Sequence, residues 1–83
     1  LSRTLYAAAE NAVYGAGPAL DAARAVLRES DGVDLDYLEI TTPDLDPLPE
    51  DPAPGTEARI LIAARVGTTR LIDNLPLTIG RID

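Results

Sequence analysis

Ala63-Ala64-Arg65-Val66-Gly67-Thr68-Thr69-Arg70-Leu71-Ile72-Asp73-Asn74 joins two apolar segments through a glycine-threonine turn. Before it, Ala58 to Val66 alternates: Ile60, Ile62, Ala64 and Val66 share one face, and Arg59, Leu61, Ala63 and Arg65 the other. After Gly67-Thr68-Thr69, Arg70 to Ile79 places Leu71, Leu75, Leu77 and Ile79 on one face with Asp73 between them, while Ile72 and Asn74 point the opposite way. A period of two on both sides of a turn predicts a β-hairpin. Pro76 cannot donate to a ladder, so its strand is expected to be an edge or to carry a bulge there. A plain hairpin needs no such polar groups near its turn, yet this one carries Arg65, Arg70, Asp73 and Asn74. These four are the candidate site residues. In one reading they serve the fold: Arg70 pairs with Asp73 or Asp36, and Asn74 bonds backbone near Pro76. In the other they meet a second domain or an anionic ligand, because arginine forks match carboxylates and phosphates.

Upstream, Val33 to Thr42 reads as another strand. Val33, Leu35 and Tyr37 fall on one face and Leu38 and Ile40 on the other, which predicts a central strand or one partly covered on its second side. Further upstream the period changes. Leu1, Leu5, Ala8, Ala9, Ala12 and Val13 recur at helical spacing, so residues 1 to 14 are expected to form a helix stopped by Gly15 and Gly17. Pro18 suits the first position of a second helix, whose buried stripe is Ala19, Leu20, Ala23, Val26 and Leu27. Asp21 and Arg24 pair weakly outside, and Gly32 caps the end in the left-handed conformation. Pro43 to Glu57 differs: five prolines and five carboxylates surround Leu45 and Leu48, which predicts a loop extended at its start and mobile near Asp51 to Gly55. The fold class expected is α+β, with two antiparallel N-terminal helices packed on a three-stranded, largely antiparallel sheet.

The inventory narrows the chemistry. The chain of 83 residues contains no histidine and no cysteine, so the commonest general base, the commonest metal ligand and any thiolate site are missing. Ser2, Ser30 and the threonines have no imidazole to activate them. Fourteen acidic against seven basic residues give a net charge of −7, which disfavours nucleic acid and anionic membranes as partners. No apolar run is long enough to span a bilayer, no export signal is visible, and a cytoplasmic location is expected. Asp34, Asp36 and Glu39 have nothing near them in sequence to desolvate them, so they read as a solvated sheet edge. The acidic loop lacks the order of a calcium loop. Gly15-Ala16-Gly17 precedes a helix without a preceding strand, a third glycine or a basic neighbour, so it reads as a helix-helix turn rather than a phosphate cradle. No catalytic, cofactor-binding or metal-ligating residue is assigned.

Two motifs point to a family. Val33-Asp34-Leu35-Asp36-Tyr37-Leu38-Glu39-Ile40 resembles the V-x-x-D-Y-L-E strand near the C-terminus of pantothenate synthetases. Ile62 to Asn74 is similar to the same family's A-A-R-x-G-x-T-R-L-I-D-N hairpin, and the helix from Leu20 to Leu27 is compatible with it. The resemblance covers essentially the whole chain but only the C-terminal domain of the family. It implies that residues 1–83 form one lid domain, with an acidic loop at 43–57, of a larger two-domain enzyme. That enzyme joins pantoate to β-alanine with ATP and magnesium through a pantoyl-adenylate, and acts as a homodimer. The partner of this domain would be the nucleotide-binding N-terminal domain of the same polypeptide, which carries a His-x-Gly-His motif and meets the C-terminal domain at a Ser-Ser-Arg-Asn-like segment. Neither motif occurs here; Leu1-Ser2-Arg3-Thr4 belongs to the helix that follows the latter. The chain begins without Met and ends at Arg81-Ile82-Asp83, so both ends are expected to be cuts through a longer protein, and the chain alone is expected to be inactive and to bind no cofactor. The rival expectation is a free-standing acidic interaction module that captures a partner at the sheet edge or through the proline-rich loop.

Overall fold

Helical spacing followed by alternation yields two helices followed by three strands. The structure, a computed structural model, describes residues 2–80. The expected helical start at Leu1 and the segment after Gly80 lie outside the described residues. In order come α1 (Ser2–Asn11), a 3-10 turn (Ala12–Tyr14), α2 (Ala16–Glu29), β1 (Val33–Thr41), β2 (Thr56–Val66) and β3 (Thr69–Ile79). The sheet runs β1-β2-β3 and is antiparallel throughout. Ser2, Arg3 and Thr4 share a cleft with Val26, Leu27 and Ser30, so the start of α1 lies beside the end of α2 and the helices run antiparallel.

The helices and one sheet face enclose the core. Leu5, Ala8 and Ala12 from the first helical segment and Ala19 and Ala23 from α2 are buried against Ala58, Ile60, Ile62, Leu77 and Ile79. Ile60 and Ile62 are fully buried, and each such side chain contributes about 1.5–3 kcal/mol on leaving water. Four of the five helical contributions are alanines, because a short side chain lets a helix lie close to its neighbours.

Four expectations are corrected. The first helix does not continue to Tyr14: the 3-10 turn, with three residues per turn, rotates Val13 out of the stripe, and it is 40% exposed. The link between the helices is Gly15 alone (φ 120°), and α2 already includes Ala16 and Gly17. Pro18 is therefore the third helical residue, still within the first turn where no N–H partner is needed. β1 is an edge strand; β2 is the central one. Its apolar residues on both faces have another cause. The pairing passes from Leu35↔Ala64 to Tyr37↔Ala63, a bulge at Asp36. One extra residue turns the strand over, so Leu35 joins Leu38 and Ile40 on the helix-facing side and only Tyr37 faces away.

The loop after β1 is not extended at its start. The Thr42 N–H donates to the Asp46 carbonyl and the Leu45 N–H to the Thr42 carbonyl, both at 2.9 Å. Thr42 Oγ1 accepts from the Asp46 N–H at 3.0 Å. This tight turn holds Leu45 at φ 69°, a left-handed conformation unusual for leucine. Pro47 then bridges back to Thr41, and Leu48 packs on the core. The segment expected to be mobile is tied down at its end, where the Gly55 N–H donates to Ile79 O at 2.7 Å and the Thr56 N–H to Ala53 O at 3.1 Å. Gly80 closes the corner: its N–H donates to Ala12 O at 2.8 Å.

Candidate functional site

The hairpin register fixes what lies beside what. Gly67 (φ 64°) and Thr68 form a two-residue turn, one residue shorter than expected, with glycine in the first central position that needs positive φ. Val66 therefore faces Thr69, and Arg65 faces Arg70. Combining both ladders gives four cross-strand rows on the face away from the helices: Asp34–Arg65–Arg70, Tyr37–Ala63–Ile72, Glu39–Leu61–Asn74 and Thr41–Arg59–Pro76. Asp73 pairs with Ile62 and so belongs to the other face. The four candidate residues are thus divided: Arg65, Arg70 and Asn74 lie together and Asp73 does not.

Two directly opposed arginines repel, and such a pair destabilises a sheet unless it is balanced. The balance comes from β1. Arg70 Nη2 donates to Asp36 Oδ2 at 2.7 Å, reaching across the central strand. The bulge is what brings Asp36 to this face. Each partner is about half exposed (47% and 51%), so water screens the pair strongly. Arg65 shares a small cleft with Asp34, Leu35 and Asp36 and forms no ion pair within the bonding distance among the described residues.

Asn74 differs from the expectation. Its side-chain oxygen accepts from Arg59 Nη1 on β2, not from backbone near Pro76, and its N–H donates to Asp73 Oδ1 at 2.8 Å. Arg59 lies outside the 63–74 motif and is the residue that sequence reasoning misses. The register carries the signal: a two-residue turn at Gly67-Thr68 puts Asn74 opposite Leu61, next along the strand on the same face as Arg59. Pro76 sits in β3, an edge strand, as expected. Asp21 and Arg24 also meet as expected, at 3.8 Å.

Between the polar pairs lies an apolar centre. Ala63 is fully buried although no helix covers its face, since Tyr37 and Ile72 flank it and the Arg70–Asp36 bridge passes nearby. Ile72 itself is 64% exposed. No group of three or more carboxylates that could hold a metal ion occurs among the described residues, and no helix among them is long and apolar enough to cross a membrane. The surface can bind by shape and charge, and nothing in it activates a nucleophile.

The model of the family described as pantoate-beta-alanine ligase matches residues 1–76. The chain belongs to the pantoate-β-alanine ligase family. A pantothenate synthetase of Nocardioides sp. is 71% identical over 80 residues, covering 96% of this chain and 24% of the relative. One from Mycobacterium sp. (strain KMS) is 47% identical over 83 residues, covering 100% of this chain and 25% of the relative. The crystal structure of the pantothenate synthetase from Thermus thermophilus superposes with a TM-score of 0.75 at 41% identity, covering 90% of this chain and 27% of that one. The chain thus spans about a quarter of the length of the ligase-family relatives it matches. The α+β fold read from the sequence is the fold found within this family.

Proposed function

We propose that this chain is the C-terminal lid domain of a pantoate–β-alanine ligase. The observation that carries the reading is the family match over residues 1–76 combined with coverage of only a quarter of each relative. The whole enzyme condenses pantoate with β-alanine using ATP and magnesium, through a pantoyl-adenylate, and works as a homodimer. The nucleotide and the reacting groups are held by the N-terminal domain of the same polypeptide. This domain contributes closure. An acyl-adenylate is a mixed carboxylic–phosphoric anhydride that water cleaves to the acid and AMP, so a lid that excludes water preserves it until the amine arrives and displaces AMP. The rigidity a lid needs is supported by the alanine-lined helix layer and the fully buried Ile60 and Ile62. The polar cluster of Arg65, Arg70 and Asn74 would serve the domain boundary rather than the chemistry.

The test uses two proteins. The 83-residue chain, incubated with ATP, magnesium, pantoate and β-alanine, should form no pantothenate; turnover by it would overturn the reading. A full-length Nocardioides pantothenate synthetase whose matching quarter is replaced by this chain should make pantothenate. The same enzyme without that quarter should release AMP without a matching yield of pantothenate, because the adenylate is hydrolysed. Normal coupling without the domain would remove the lid role.

A further inference from the structure

A sheet has two faces, and this chain fills one. The helices cover the face of Ile60, Ile62, Leu77 and Ile79. The other has an apolar centre of Tyr37, Leu61, Ala63 and Ile72, of which Ile72 is 64% and Tyr37 36% exposed. Its charges nearly cancel: Arg59, Arg65 and Arg70 stand against Asp34, Asp36, Glu39 and Glu57, while most of the net −7 lies elsewhere on the domain. Two of these arginines already bond within the face, to Asp36 and Asn74, so a partner that covers them need not satisfy them from nothing. Arg65, exposed and outside any ion pair among the described residues, is the group with capacity to spare.

We propose that this helix-free face is where the rest of the ligase polypeptide seats, with an apolar segment across Tyr37, Leu61 and Ile72 and a carboxylate opposite Arg65. The inference rests on the reading of the chain as one domain of a longer ligase and adds which surface is used. The occupant follows from length: relatives carry about three times as much polypeptide again as this domain, and the helices have already taken the other face. A second copy of the domain fits less well, since two bodies of net charge −7 repel.

The experiment uses the full-length chimera described above, with a photoreactive phenylalanine analogue placed at Ile72 or, separately, at Tyr6 on α1, which is 60% exposed on the helix layer. Illumination of the Ile72 protein should give an intramolecular crosslink, mapped by mass spectrometry to sequence outside these 83 residues. The Tyr6 protein should give none. Separately, Ile72→Lys should lower kcat/KM at least tenfold, with Tyr6→Lys within twofold of the parent. Crosslinks from Tyr6 and not Ile72, crosslinks joining two chains at Ile72, or none from either position would each overturn the proposal. An inactive unsubstituted chimera would count against the ligase reading; an active one without the Ile72 crosslink counts only against this face.

Discussion

The two faces of the sheet use the same three strands and opposite means. On the helix-covered face, Ile60, Ile62, Leu77 and Ile79 are buried in contact with alanines, and stability comes from apolar area removed from water. On the helix-free face, Arg70 on β3 reaches Asp36 on β1 and Arg59 on β2 reaches Asn74 on β3, so the strands are linked by solvent-exposed polar pairs that add little. A strand whose alternate residues follow two such different rules has a division of labour along its own length. One set of side chains holds the domain together, and the other set is free to be chosen for what it meets.

That contrast can be broken most forcefully at Ile62. Ile62→Ala should cost about 2–5 kcal/mol, a large share of the margin of a domain this small, read as a lower urea midpoint with an unchanged slope. A loss below about 1 kcal/mol would mean the covered face is not the main source of stability. Next comes the corner that closes the covered side. A Cβ at Gly80 would sit 2.9 Å from Pro54 Cα, at φ +79°. Gly80→Ala should therefore cost about 1–2 kcal/mol, seen as a lower melting temperature. On the exposed face, a double-mutant cycle on Asp36→Ala and Arg70→Ala should give a coupling of about 0.2–1 kcal/mol that shrinks as salt is added. In the full-length ligase, Arg70→Ala should reduce activity more than it reduces the stability of this domain; the opposite balance would make the pair purely structural. The smallest effect is expected at Ile72→Ala, within about 0.5 kcal/mol by thermal denaturation of the 83-residue chain, because its side chain is already 64% exposed.

Much of this was legible in the residues. The change from helical spacing to alternation placed two helices before three strands, and the buried set Ile60, Ile62, Leu77 and Ile79 is one predicted face of the hairpin. What was lost was lost at single residues. The bulge at Asp36 is one extra residue in an otherwise regular strand, and its only trace is the adjacent apolar pair Tyr37-Leu38, which breaks the alternation. Reading that pair as burial on both faces made β1 central instead of an edge. The loop hid its order because the bonds of Thr42, Asp46 and Gly55 are mostly backbone bonds, on which composition is silent. Within the site, Arg70–Asp36 was one of the two pairings anticipated, whereas Arg59–Asn74 required the register, and the register required knowing that the turn has two central residues and not three.

The corner at Gly80 has one more consequence, which concerns the chain entropy lost in closing it. Ala12 O accepts both the Gly15 N–H, three residues away, and the Gly80 N–H, almost a full chain length away. Beside that second bond lie Leu77 and Ile79, both in the core. Within this chain the helix pair precedes the strands that form its floor. That contact closes a loop over most of the described sequence, and closing it costs more chain entropy than forming the local contacts within the helix pair and the hairpin. Cutting the chain after residue 76, where the family match stops, would remove those partners. Such a chain keeps Ala58, Ile60 and Ile62 beneath the helices but loses the contacts that close the corner at Ala12, so it should melt at a lower temperature than the 83-residue chain.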